Sequence, residues 1–173
     1  MLLCFIKIRS LSILYKLKFQ LYMKIYDCFM FFDEEMLLDL RLNIMDKYVD
    51  KFVITEATYM HSGKPKKLIF DINKFSKFRD KIVYIPIDQP PPGLIEIKKN
   101  DSIEEKQSKM TINAKEREMY QINKTQDGIV GANQEDIIII SDVDEIPNLE
   151  NINFEKINEK LIFFKQKISF LEN

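Results

Sequence analysis

The sequence predicts an α/β domain on a mainly parallel sheet, and three observations carry that prediction. Short apolar runs of strand length alternate with helical stretches from residue 24 onward, and such alternation closes into parallel pairs joined by crossovers. Several runs are apolar throughout rather than at every second residue, as in strands buried on both faces. The 173 residues, 46% hydrophobic and 31% charged, suffice for one domain whose core needs no disulfides.

The first residues stand apart in charge. Residues 1–24 hold Lys7, Arg9, Lys16, Lys18 and Lys24 and no acid, although the whole chain has 26 bases, 27 acids and a formal net charge of -1. No apolar run here approaches the roughly 20 residues that span a bilayer, and Lys16 and Lys18 break the stretch a signal peptide requires. The expectation is a protein that is cytoplasmic or peripheral at a membrane. Residues 1–23 read as a basic apolar extension, with three readings: a basic amphipathic helix on an anionic membrane, a packing extension, or residues ahead of a true start at Met23. Near-neutral overall charge argues against a general nucleic-acid or membrane-surface binder. Two cysteines, Cys4 and Cys28, make no disulfide framework and are expected as free thiols.

Residues 24–173 form the α/β domain. Lys24 to Phe32 reads as an aromatic-rich strand. Asp33 is the expected N-cap of a helix with Glu34 and Glu35 in its first turn. Leu37, Leu40, Ile44 and Tyr48, with Leu38, Leu42 and Met45, give that helix a wide apolar stripe. Lys51 to Ala57 is a buried strand. A short helix is predicted over Ile72 to Phe78 and a third strand over Lys81 to Ile87, stopped by Gln89-Pro-Pro-Pro-Gly93. Residues 94–110 are charged without a clean period and read as an exposed loop. A helix is predicted from Thr111 to Lys124, closed at Gln126-Asp127-Gly128. Asp136 to Ser141 contains four isoleucines and is the most buried-looking strand. After Pro147 come a short helix and a last strand, Leu161 to Phe170.

Only four glycines occur, at 63, 93, 128 and 131, and no pair gives GxGxxG or GxxxxGK. A glycine-rich loop cradling phosphate is excluded, so any phosphate chemistry needs another source of positive charge. In a parallel sheet, ligands bind beyond the carboxyl ends of the strands. The isoleucine strand delivers Ser141-Asp142-Val143-Asp144-Glu145 there. On an extended backbone, Asp142 and Asp144 point the same way and can share one hard cation, Mg2+ or Mn2+, leaving positions open for phosphate oxygens. The alternative is that the three acids merely cap the next helix. Glu56 ends the second strand. It leads into Thr58-Tyr-Met-His61-Ser-Gly63-Lys64-Pro-Lys66-Lys67, a basic loop with the single histidine, read either as a cap offering Lys64 or Lys66 to phosphate or as a solvated turn. Asp27, inside the first strand, needs a partner and is either a hydrogen-bonded structural acid or part of the site.

Several stretches together resemble a known group. They are Asp27-Cys28-Phe29 with Phe31-Phe32, Glu35 with Leu38, Arg41 and Leu42, and Val49 to Ile54 with Glu56. His61 to Lys66, Glu118 to Gln121, Gln126-Asp127-Gly128 and Ile140 to Pro147 follow in order. The combination of His-Ser-Gly-Lys-Pro-Lys with Ser-Asp-Val-Asp-Glu-Ile-Pro resembles glycosyltransferase family 17, the beta-1,4-mannosyl-glycoprotein 4-beta-N-acetylglucosaminyltransferase-like group. The resemblance implies a GT-A-like nucleotide-diphospho-sugar transferase fold and a UDP-N-acetylglucosamine-type donor. It also implies a divalent cation held through the DxD motif, a glycan acceptor as in protein N-linked glycosylation, inversion at the sugar carbon, and a Golgi membrane location for eukaryotic relatives. The resulting expectations are Asp142 and Asp144 as metal ligands, Asp27, His61, Lys64, Lys66 and Asp142 as donor contacts, and Glu145 and Glu56 as candidate general bases. Two departures stand out. Ile122 replaces an arginine expected after Gln121, and the chain stops at Asn173, soon after the acids. That second departure implies a partial catalytic domain, a frameshifted remnant or an inactive donor-binding half. A third class, a Mg2+-dependent phosphotransferase or phosphatase of haloacid-dehalogenase type, would use the acid pair as nucleophile and acid. In that class the pair sits on the first strand and is not followed by Ile146-Pro147.

Overall fold

Ile25–Met30 (β2), Lys51–Ala57 (β3), Ile82–Ile87 (β4) and Ile137–Ile140 (β5) pair in parallel, in the order β4-β3-β2-β5. The computed structural model describes residues 3–7, 23–157 and 159–165, with the side chains of 3–7 and of Glu155 excepted. Two antiparallel strands extend the sheet beyond β5: Leu3–Lys7 (β1) pairs with β5, and Leu161–Phe164 (β6) pairs with β1. The predicted α/β sheet is thus parallel through four adjacent strands, from the β4 edge to β5, with an antiparallel pair on the other side.

Side chains alternate along the strands, and each face meets a different helix. Phe29, Phe52, Ile54, Ile137 and Ile139 face Leu38, Leu42 and Met45 of the helix Glu35–Met45 (α1), with Phe75 and Phe78 beside them. On the other face Tyr26, Cys28 and Val53 pack with Ile129 and Ala132, and Ala57, Tyr59 and Ile87 pack with Tyr120 of the helix Ile103–Lys124 (α2). Gly128 is needed for close approach there, because a Cβ on it would lie 2.4 Å from a Val53 methyl. This burial on both faces is what the continuous apolar runs predict.

Several local expectations are corrected. Glu34, not Asp33, occupies the N-cap position of α1, and its carboxylate accepts from the Phe32 and Asp33 amides at 3.2 and 3.1 Å. Two residues of the expected apolar stripe, Leu40 and Ile44, are exposed, while Arg41 is buried in line with Leu38, Leu42 and Met45. Over 72–78 only a 3-10 turn forms, Ser76–Phe78. Upstream, Asp71 captures the Asn73 amide at 2.9 Å, a local bond that competes with helix. Residues 94–110 are not all loop, since α2 begins at Ile103. Ser102 and Glu105 form a reciprocal capping box at its start (3.1 and 2.7 Å). The helix lacks a clean apolar period because it lies mostly exposed, with only Asn113 and Gln121 buried. After Pro147 there is a 3-10 turn, Phe154–Lys156, in place of a helix. Leu3–Lys7 is strand, not the start of an amphipathic helix. Residues 8–22, the end of the expected last strand and the Cys4 side chain lie outside the described residues. Cys28 is a free, buried thiol, its pKa raised chiefly by burial. Among the described residues no helix is long and apolar enough to cross a membrane.

Candidate functional site

Strand order reverses between β2 and β5, since β2 is followed in sequence by β3 on one side while β5 pairs on the other. Chain segments diverge at such a switch point and open a crevice beyond the carboxyl ends. A cleft of about 610 Å3 lies there, lined by Phe31 and Phe32 after β2, by Tyr59 and His61 after β3, and by Asp142 and Asp144 after β5.

The acid pair reaches this cleft by a different geometry from the predicted one. β5 ends at Ile140, and the chain then turns, the Glu145 amide donating to the Asp142 carbonyl at 3.1 Å. Asp142 therefore opens a turn within which Asp144 lies, with Val143 buried between them. Burial raises the Asp142 pKa above its ordinary 3.8, and Glu145, Asp144 and Glu118 raise it further, while His61 lowers it. Acids that repel one another in a cleft form a site that a cation relieves. Among the described residues no three acid, histidine or cysteine side chains converge as a complete metal cage. Two carboxylates suit an ion that takes its other ligands from water and phosphate, the usual habit of Mg2+. Glu145 has its Oε2 buried without a hydrogen-bond partner and does not line the cleft.

Beneath the turn lies a residue to which sequence reasoning gave no role. Arg41 and Asp27 are both fully buried and form a two-pronged pair, Nε to Oδ2 at 2.9 Å and Nη2 to Oδ1 at 2.6 Å. Arg41 also donates to Ser141 Oγ (2.6 Å) and to the carbonyls of Asp142 (2.6 Å), Val143 (3.3 Å) and Glu145 (3.2 Å). Asp27, expected as a donor contact, has both oxygens engaged and lies outside the cleft, the geometry of a structural acid. The available signal was an arginine at core spacing on α1 with an acid inside the adjacent strand.

Glu56, a candidate base, is fully buried and accepts from Lys66 Nζ, the Ile69 and Phe70 amides (2.9 and 3.1 Å) and Tyr84 Oη (2.8 Å). With four donors satisfied and no place on the cleft wall, it anchors the loop after β3 and is poorly placed to take a proton. That loop is a small hairpin: Tyr59 bridges Pro65, and the Met60 amide meets the Lys64 carbonyl at 2.8 Å. Gly63 closes its turn at φ 86°, with Arg117 of α2 stacked where a Cβ would go, 2.8 Å from Nη2. Arg117 also donates to the His61 carbonyl at 3.0 Å. Of the expected donor contacts, His61 and Lys66 line the cleft together with Asp142, whereas Lys64 is exposed and does not. Lys66 Nζ sits 5.3 Å from the Phe32 ring centroid. Tyr59 and Gln121 line the cleft as well, both buried, and the Tyr59 hydroxyl has no partner.

Comparison with known proteins places this arrangement. The profile of glycosyltransferase family 17 matches residues 11–164. Two curated relatives, the beta-1,4-mannosyl-glycoprotein 4-beta-N-acetylglucosaminyltransferases of Homo sapiens and Rattus norvegicus, are each 28% identical over 128 residues, covering 70% of this chain and 21% of the relative. The chain thus spans about a fifth of the length of these relatives. No solved structure matches it. The match runs through β2 to β6 and includes the acid turn, the His61 hairpin and the Arg41–Asp27 pair, so the chain belongs to glycosyltransferase family 17.

Proposed function

We propose that this chain carries the donor side of a metal-dependent transferase that moves N-acetylglucosamine from UDP-N-acetylglucosamine to a glycan hydroxyl with inversion. The observation that supports this most is the pair Asp142 and Asp144 on the wall of the switch-point cleft, in a chain without a glycine-rich phosphate loop. Mn2+ or Mg2+ bound there supplies charge neutralisation for the departing diphosphate. Lys66 and His61 stand on the same wall to bind and orient the donor. In the transfer the acceptor oxygen forms a bond to the sugar C1 as the bond from C1 to the diphosphate oxygen breaks. The acceptor proton passes to a carboxylate, and UDP leaves. Neither candidate base lines the cleft, but Glu145 keeps an unpartnered oxygen while both oxygens of Glu56 are engaged, so Glu145 is taken as the base. Contact of the basic residues 1–24 with an anionic membrane belongs to the same proposal, supported by their five bases without an acid.

The haloacid-dehalogenase reading loses support, since the acid pair follows β5 in a turn and not the first strand. A donor-binding remnant without transfer activity is the second reading, favoured by the place of both candidate bases, Glu145 and Glu56, off the cleft wall. Incubation with UDP-N-acetylglucosamine and a glycopeptide bearing β-linked mannose, with and without Mn2+, tests transfer by mass spectrometry. Metal-dependent mass gain on the glycopeptide supports the transferase. No gain despite metal-dependent donor binding selects the remnant.

A further inference from the structure

We propose that Arg41 is the positioning residue of the acid turn: anchored by Asp27, its buried guanidinium holds residues 141–145 in the shape that brings both Asp142 and Asp144 to the cleft. This rests on reading those two carboxylates as cation ligands. Neither Arg41 nor Asp27 lines the cleft and both are fully buried, so neither touches a donor and any effect passes through the turn.

The geometry is that of a socket moulded on a planar cation. One edge of the guanidinium is spent on Asp27. The remaining donors meet acceptors drawn from five consecutive residues: the Ser141 hydroxyl and the carbonyls of Asp142, Val143 and Glu145. Ser141 Oγ in turn donates to the Glu145 carbonyl at 3.1 Å, which ties the start of the turn to its end. The Phe29 ring lies 4.5 Å from the guanidinium carbon and closes the socket. Carbonyls committed in this way keep the segment from continuing as strand, and a turn carrying mutually repelling acids needs such a hold. Only an arginine reaches these acceptors together. A lysine ammonium presents three donors from one point, whereas the guanidinium spreads five across a rigid plane. Supporting shells of this kind typically set metal affinity by roughly 10- to 100-fold.

The test compares Arg41→Lys and the milder Ser141→Ala with Phe78→Leu, a core substitution at the Phe52 end of β3, opposite the cleft. Two readouts are taken: Mn2+ affinity by titration calorimetry, and hydrogen exchange at the Glu145 amide, which closes the turn. The expected result is faster exchange at Glu145 and an Mn2+ affinity loss of roughly 10- to 100-fold for Arg41→Lys, a smaller loss for Ser141→Ala, and neither change for Phe78→Leu. Should Arg41→Lys not fold, Ser141→Ala carries the test. Unchanged exchange overturns the socket. Faster exchange with unchanged Mn2+ affinity overturns its role in presenting the carboxylates, as do equal losses in Phe78→Leu. Wild-type protein that binds no Mn2+ overturns the metal reading and this inference with it, whatever the exchange shows.

Discussion

Tyr84 of β4 donates its hydroxyl to Glu56 of β3 at 2.8 Å, across neighbouring strands near the carboxyl end of the sheet. The bond ties β3 to the edge strand β4, while the other donors to Glu56, Lys66 and the Ile69 and Phe70 amides, draw in the loop that follows. Burial first, then the bond to Glu56, raises the Tyr84 pKa above 10.0. Replacing Tyr84 by Phe is expected to cost about 1.5–3 kcal/mol, the range for a hydrogen bond to a charged group. Glu56→Gln should cost about 3 kcal/mol, because it leaves the Lys66 charge without its partner. Urea denaturation of both variants checks this, and equal stability to wild type in Glu56→Gln would contradict the anchoring role.

Asp142 should destabilise the metal-free protein at neutral pH. Its folded pKa lies above 3.8, through burial and then through Glu145, Asp144 and Glu118. The native state therefore holds the proton more tightly than the unfolded chain. The associated stability is present below pH 3.8 and is lost as pH rises through the raised value. Asp142→Asn should raise the melting temperature of metal-free protein by a few degrees at pH 7, with the difference fading in acid. Mn2+ should stabilise the wild type and not the variant. Differential scanning calorimetry at several pH values, with and without Mn2+, gives the comparison.

Gly63 adopts φ 86° with the Arg117 guanidinium filling the space a Cβ would take. Gly63→Ala meets both the left-handed penalty and the 2.8 Å clash with Nη2, so a loss of about 1–2 kcal/mol is expected. The same change should weaken UDP-N-acetylglucosamine binding, because the hairpin carries His61 on the cleft wall. Denaturation midpoints and donor titration on one preparation separate the two effects.

Glu145→Gln should lower kcat for sugar transfer roughly 100- to 10,000-fold, the range for losing a general base, with KM for the donor little changed. A steady-state assay of UDP release reports both constants. Loss confined to KM would assign Glu145 to donor binding instead.

The fold was legible where one element decides its own fate. β3 has the bounds that its apolar run suggests, and β5 falls on the four isoleucines. Both are hydrophobic enough that burial on two faces is their only outcome. Less legible were features that depend on a distant partner. Arg41 lies among leucines on α1, and its acceptors come from β2 and from residues 141–145, a hundred positions away. Glu56 looked available because its donors come from Lys66, residues 69 and 70, and Tyr84. The start of α2 was different: Ser102 and Glu105 do spell a capping box, but the exposed helix shows no apolar period to accompany it. The sequence alone sets Asp142 and Asp144 on a continuing strand, whereas the chain turns after Ile140 with Arg41 bonded to the turn's carbonyls.

The proposed transfer depends above all on a cation that Asp142 and Asp144 would hold and that would bind the donor diphosphate. Titration calorimetry of UDP-N-acetylglucosamine into the wild-type chain with Mn2+, into the same chain with EDTA, and into Asp144→Asn with Mn2+ tests it most directly. Binding is expected in the first case and a loss of roughly 10-fold or more in affinity in the other two, in line with removing a metal or its ligand. Equal affinity in all three would contradict it.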